Sequence, residues 1–124
     1  RQLMGAVGEV VDLEDESLMD AVTALSGSGP AYVFLLAEVM AVAGEKLGLP
    51  ADLSVHLARQ TVSGAGALMA AEPATEASLL RRNVTSEGGT TEAALDVLQA
   101  EDGLQAVFDR ALRAACDRSR ELDS

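Results

Sequence analysis

Ala31-Tyr32-Val33-Phe34-Leu35-Leu36-Ala37-Glu38-Val39-Met40-Ala41-Val42-Ala43-Gly44-Glu45-Lys46-Leu47 is the stretch whose reading decides the fold. Its large apolar side chains, Tyr32, Val33, Phe34, Leu35, Leu36, Val39, Met40 and Val42, fall all around a helical period instead of along one stripe. Such a helix must be buried on every side. A single domain of 124 residues barely surrounds a helix of this length, so a second copy of the chain is expected to cover part of it. A monodisperse, well-folded monomer at micromolar concentration would refute that expectation.

Working towards the amino terminus, Ser26-Gly27-Ser28-Gly29-Pro30 is expected to break the helical pattern. Before it, Leu18, Met19, Val22 and Leu25 recur at three- and four-residue spacing, the mark of an amphipathic helix. The acidic run Glu14-Asp15-Glu16 and Ser17 suits the start of that helix, because carboxylates are favoured at the positive end of the helix dipole. Gln2 to Gly8 reads as the last turn or two of a helix closed by a glycine, and Glu9 to Leu13 as a short strand. One strand makes no sheet, so this piece is expected to belong to another domain or to pair with another chain.

Towards the carboxy terminus, Gly48-Leu49-Pro50 ends the long helix and opens another that runs to Ala71. Within it Gly64, Gly66 and Ala67 are expected to bring the backbone close to a neighbour. Gly64-Ala65-Gly66 follows no strand, which argues against a phosphate loop. After Glu72-Pro73 a shorter helix carries Leu79, Leu80 and Val84, and Ser86-Glu87-Gly88-Gly89 forms a turn. Thr90 or Thr91 starts a helix bearing Ala94, Leu95 and Leu98, and the last helix runs from Gly103 to about Leu122. Five or six helices after a short remnant make the class all-α.

Hydrophobic residues make up 48% of the chain and aromatic ones 2%, so the core is built of small and medium aliphatic side chains. Nine basic residues against twenty acidic ones give a formal charge of −11, which repels a phosphate backbone and argues against nucleic acid as a partner. The apolar stretch from Pro30 towards Gly44 is interrupted by Glu38 and falls short of the roughly 20 residues that span a bilayer, so no membrane partner is expected. With no signal pattern at the amino end, a cytoplasmic location is expected. Cys116 reads as a small buried residue and His56, the sole histidine, as a surface or packing residue. No cysteine–histidine spacing indicates a metal site.

Chemistry concentrates in Val84-Thr85-Ser86-Glu87-Gly88-Gly89-Thr90-Thr91, with four hydroxyls and two glycines at the mouth of a helix. Helix amino termini present N–H groups without internal partners and so bind anions. The pattern points to a small anion site, or equally to a capped helix preceded by a Gly-Gly turn. Arg81 and Arg82 beside it either attract an anion or solvate the helix.

Leu79-Leu80-Arg81-Arg82-Asn83-Val84-Thr85-Ser86-Glu87-Gly88-Gly89-Thr90-Thr91-Glu92-Ala93-Ala94-Leu95 resembles the signature of pyrroline-5-carboxylate reductases. Asp20-Ala21-Val22-Thr23-Ala24-Leu25-Ser26-Gly27-Ser28-Gly29-Pro30-Ala31-Tyr32 is similar to a second stretch of that family, and Arg118-Ser119-Arg120-Glu121-Leu122 to its ending. The resemblance implies reduction of pyrroline-5-carboxylate to proline with NADPH or NADH. It also implies an amino-terminal Rossmann domain followed by an interlocking all-α dimerisation domain, like the carboxy-terminal domain of 6-phosphogluconate dehydrogenase. Residues 1–14 then correspond to the tail of the Rossmann domain, and 15–124 to the helical dimerisation and substrate-binding domain. Family members form homodimers that often assemble into rings, commonly decamers.

Carried over by resemblance, Ser86 and the main chain at Gly88, Gly89, Thr90 and Thr91 hold the substrate carboxylate, and Val84 lines the apolar side of the ring. Thr91 is the catalytic candidate, its hydroxyl near the ring nitrogen, where it helps to protonate or polarise the imine. No nucleotide-binding residue is expected in this chain, which alone should show no reductase activity. Glu87 stands where the family usually has proline, removing a φ restraint and adding a charge; its side chain is expected to point to solvent. Two alternatives share the architecture: the helical substrate domain of another Rossmann reductase acting on a small carboxylate, and a helical interaction module without a ligand.

Overall fold

The computed structural model describes residues 2–4, 10–12 and 18–123. Gln2–Met4 forms β1 and Val10–Asp12 forms β2, and the two pair antiparallel with Gln2 opposite Asp12 and Met4 opposite Val10. Both amino-terminal expectations change at this point. Gln2-Leu3-Met4 is strand and not the end of a helix, and the second strand has its partner within the chain. Three residues are fewer than one helical turn, so their pattern cannot separate the two periods. The helix start expected at Glu14 to Ser17 lies outside the described residues.

From residue 18 onward all the elements are helical: α1 (Met19–Val22), a π turn (Thr23–Gly27), α2 (Gly29–Lys46), α3 (Ala51–Ala71), α4 (Ala77–Asn83), α5 (Thr90–Leu98) and α6 (Leu104–Leu122). They group into two compact units. Among the described residues, one comprises those up to Tyr32 with those from Glu101 onward, and the other runs from Val33 to Ala100.

In the first unit, Ser26 to Pro30 does not break the helix as expected. The chain widens into a π turn, with the Ser28 N–H donating to Thr23 O at 2.9 Å, and Ser28 itself keeps a helical conformation. A π turn absorbs an extra residue without ending a helix. Ala24, in its middle, is 2% exposed, and the Tyr32 hydroxyl donates to the Ala24 carbonyl at 2.6 Å. The Tyr32 ring meets Phe108 of α6 edge-on, with centroids 5.9 Å apart. Tyr32→Phe keeps the ring contact and orphans a buried carbonyl, so about 1–2 kcal/mol of stability should be lost. An unchanged denaturation midpoint would show that water replaces the hydroxyl.

Asp20 ties α1 to the end of α6: Ser119 Oγ donates to it at 2.7 Å and the Arg120 Nε lies 3.9 Å away. A hydrogen bond with Asp20, its like charge and a little lost hydration, in that order, raise the exposed Asp123 carboxyl above its ordinary pKa of 3.8. The folded state therefore prefers Asp123 protonated. That contribution to stability is present below the ordinary value and is lost as pH rises through the raised one. Asp123→Asn should thus raise the melting temperature at neutral pH and lose its advantage in acid, whereas a pH-independent difference would exclude carboxyl repulsion as the cause.

In the second unit a short turn joins α2 to α3, and the two helices touch beside it. A Schellman motif closes α2: the Gly48 N–H donates to Glu45 O at 2.9 Å and the Leu49 N–H to Gly44 O at 3.2 Å, with Gly48 at φ +109°. Pro50 then caps α3. The helices meet where Ser54 Oγ donates to Ala41 O at 2.6 Å, and a Cβ on Gly44 would collide with that hydroxyl. Ala41, Ser54 and Ala58 are the buried residues of this crossing. Within this chain the close approach is at Gly44; a Cβ at either α3 glycine meets nothing of this chain within 4 Å, so a neighbour at Gly64 and Gly66 would have to come from another chain.

Within one chain α2 is not buried on every side. Leu35, Val39 and Val42, spaced i, i+4 and i+7, are 56%, 54% and 50% exposed, and Phe34 is 69% exposed. Because the π turn joins α1 to α2, the run Met19–Lys46 spans 28 residues at a mean hydropathy of 1.4, long and apolar enough by length and composition to cross a membrane. The expectation that this stretch falls short of a bilayer span counted only Pro30 to Gly44 and took Glu38 as an interruption; the run that starts at Met19 is longer. An exposed apolar stripe is equally what a face covered by another chain looks like.

Candidate functional site

The hydroxyl-rich segment connects α4 to α5 in the second unit. Arg81 and Arg82 lie exposed in the last turn of α4, where cations complement the helix dipole. Val84 caps that helix rather than lying inside it as expected, and is 65% exposed. The Thr85 hydroxyl turns back to donate to Arg81 O at 2.6 Å. One of the four hydroxyls is thereby committed to closing α4.

Ser86 to Gly89 is a β-turn closed by the Gly89 N–H donating to Ser86 O at 3.0 Å. Among the described residues no non-glycine residue has positive φ, and Gly88 has φ +73°, which makes this a type II turn with Glu87 and Gly88 at its centre. Gly88 supplies the left-handed conformation that a side chain would resist. At Gly89 a Cβ would lie 3.2 Å from Ser86 O, so this position also favours glycine. Glu87 is exposed, in line with the expected solvent orientation.

Gly89 is the N-cap of α5 and has no side chain with which to cap it. Its carbonyl accepts the Ala93 N–H at 3.2 Å, closing the first helical turn and leaving the Thr90, Thr91 and Glu92 N–H groups without intrahelical partners. Among the described residues, the Ser86, Thr90 and Thr91 hydroxyls make no hydrogen bond within the chain, and all three residues are exposed. The turn thus gathers three uncommitted hydroxyls around an uncapped helix end. That arrangement can hold a small anion and donate a hydrogen bond to a second atom of the same molecule.

Glu92 is the residue whose part went unrecognised in the sequence. Half-buried in the first turn of α5, it accepts the Gly88 N–H on its Oε1 at 2.9 Å. Its signal was a glutamate three residues after the N-cap, the carboxylate half of a capping box. A cavity of about 580 Å3 in the same unit, lined by Phe34, Glu38, Val55 and Arg59 among others, includes none of these loop residues. His56 is exposed and Cys116 is buried, as expected, and no cluster of metal-ligating side chains occurs among the described residues.

Residues 16–122 match the protein-family model described as pyrroline-5-carboxylate reductase dimerisation. A pyrroline-5-carboxylate reductase of Pseudomonas aeruginosa is 53% identical over 121 residues, which cover 98% of this chain and 44% of that protein. One from Arabidopsis thaliana is 47% identical over 120 residues, covering 97% and 42%. Among solved structures, a pyrroline-5-carboxylate reductase from Coxiella burnetii superposes with a TM-score of 0.83 at 46% identity, covering 94% of this chain and 43% of that one. A Plasmodium falciparum pyrroline carboxylate reductase with NADP bound gives 0.78 at 36% identity, covering 89% and 41%. The chain spans less than half the length of these relatives.

Proposed function

Since the chain belongs to the pyrroline-5-carboxylate reductase family, we propose that it is the helical part through which two copies of such an enzyme join and which holds the substrate while NADPH or NADH reduces it to proline. The observation that carries the substrate role is the uncapped amino terminus of α5, ringed by the unbonded hydroxyls of Ser86, Thr90 and Thr91. Pyrroline-5-carboxylate is a small rigid ring with a carboxylate beside an imine. One end needs anion donors, and the other needs a hydrogen-bond donor at nitrogen.

Within the loop, the Gly89 N–H is engaged by Ser86 O and that of Gly88 by Glu92. The carboxylate is therefore taken by the Thr90 and Thr91 amides and the Ser86 hydroxyl, while Gly88 and Gly89 contribute shape and close approach. The Thr91 hydroxyl donates to the imine nitrogen, polarising the bond as hydride arrives at carbon, and Val84 borders the ring. Catalysis by these residues is positioning and polarisation. The nicotinamide cofactor supplies the hydride. This chain does not fit its diphosphate, since Gly64 and Gly66 lie inside α3 with no strand leading into them and the chain carries a charge of −11. That binding belongs to a separate nucleotide-binding domain.

The exposed Leu35, Val39 and Val42 stripe of α2 is assigned to the homodimer contact. The substrate role is tested by titrating proline against the chain and following backbone amide shifts. The Thr90 and Thr91 amides should move most; shifts confined to other elements would contradict the assignment.

A further inference from the structure

We propose that Glu92 is a positioning residue for substrate binding, and that its carboxylate does so by fixing the middle peptide of the Ser86–Gly89 turn. The inference rests on the function proposed above and adds a residue that makes no contact with the substrate. Type I and type II turns differ by a flip of the peptide between their two central residues, here Glu87 and Gly88. The closing bond from the Gly89 N–H to Ser86 O is common to both types and cannot choose between them. Gly88, which tolerates φ of either sign, does not choose either. Glu87 at the first central position lacks the ring that presets φ there.

What distinguishes the observed turn is the direction of the Gly88 N–H, and Glu92 Oε1 accepts it at 2.9 Å. Glu92 is well placed to keep that bond. It sits in the first turn of α5, where a carboxylate is favoured by the helix dipole, and it is half-buried. With the middle peptide held, Ser86 and the N-cap Gly89 keep a fixed relation to α5, so the hydroxyl of Ser86 and the Thr90 and Thr91 amides converge before the anion arrives. Without the clasp, the flip becomes a conformational equilibrium, and the binding-competent fraction divides the apparent affinity.

The test is steady-state kinetics on the full-length reductase that contains this chain, with pyrroline-5-carboxylate as the varied substrate. Glu92→Ala should raise KM about fivefold, the equivalent of one ordinary hydrogen bond, with kcat within about twofold. Glu92→Gln keeps an acceptor oxygen and should restore KM to near the parent value, which separates the clasp from the charge and from general loss of folding. Glu87→Pro restrains the turn by another route, so adding Glu92→Ala to it should raise KM less than twofold, well below the fivefold effect in the parent. An unchanged KM in Glu92→Ala, no recovery in Glu92→Gln, or an equal effect in both backgrounds would overturn the proposal. If the parent enzyme fails to turn over pyrroline-5-carboxylate, the function proposed above fails and the clasp is judged by hydrogen exchange at the Gly88 amide. Exchange should accelerate in Glu92→Ala and not in Glu92→Gln, and equal exchange in the two variants would overturn it.

Discussion

Thr91→Ala in the full-length enzyme is expected to lower kcat about 100-fold while leaving the melting temperature nearly unchanged. The magnitude follows from the chemistry of an alcohol. A neutral hydroxyl at the imine nitrogen is too weak an acid to hand over its proton early, so it acts mainly as a preorganised donor to the site where charge changes, a role whose removal costs roughly 10²–10³ in kcat. The lower end applies because the nitrogen, as hydride adds to carbon, can also take its proton from water. Thr91 is exposed and its hydroxyl makes no hydrogen bond within the chain, so truncation removes nothing that holds α5 together; surface substitutions of this kind stay within about 0.5 kcal/mol. A kcat equal to that of the parent would remove Thr91 from the mechanism and leave the loop a carboxylate holder alone.

Val39→Asp is expected to weaken self-association at least 100-fold. In one chain Val39 is 54% exposed and sits in the middle of the Leu35, Val39 and Val42 stripe, so a carboxylate there is solvated and leaves the helix intact. Buried against a second copy it becomes an unpaired charge in an apolar contact. Uncompensated buried charges cost roughly 3–5 kcal/mol, which corresponds to about 10²–10³ or more in the dissociation constant. Sedimentation analysis across a dilution series reads the effect directly. An unchanged dimer would mean that this stripe faces something other than the partner chain.

The helical class was legible because the apolar positions of α2, α3 and α6 repeat over many turns, and the bounds of α3 follow from Pro50 and from Glu72-Pro73. What the sequence hid was pairing between positions. Ser-Gly-Ser-Gly-Pro carries every local sign of a helix break, yet the Tyr32 hydroxyl reaching Ala24 O lets the chain pass through it as a π turn. Gly64 and Gly66 look like packing glycines, whereas the glycine packed within the chain is Gly44, and only the partner residue Ser54 reveals it. Three residues at Gln2–Met4 hold too little pattern to tell a strand from a helix end.

The loop divides in the same way. Its hydroxyls, glycines and place at a helix mouth could be read from residue types alone. The commitment of Thr85 to α4, the type II geometry about Gly88 and the clasp from Glu92 depend on backbone direction, which residue types do not carry. Ser86, Thr90 and Thr91 are left exposed beside the amino end of α5, and their role in holding substrate is the proposal made above.

The most direct test of the central claim is the rate of NADPH- and NADH-dependent reduction of pyrroline-5-carboxylate, measured for the full-length protein that carries this chain and for residues 1–124 alone. Turnover by the former and none by the latter is the predicted result, because the helical part is proposed to hold the substrate and not the cofactor. A folded full-length protein that leaves pyrroline-5-carboxylate unreduced would contradict the account, as would turnover by the 124-residue chain on its own.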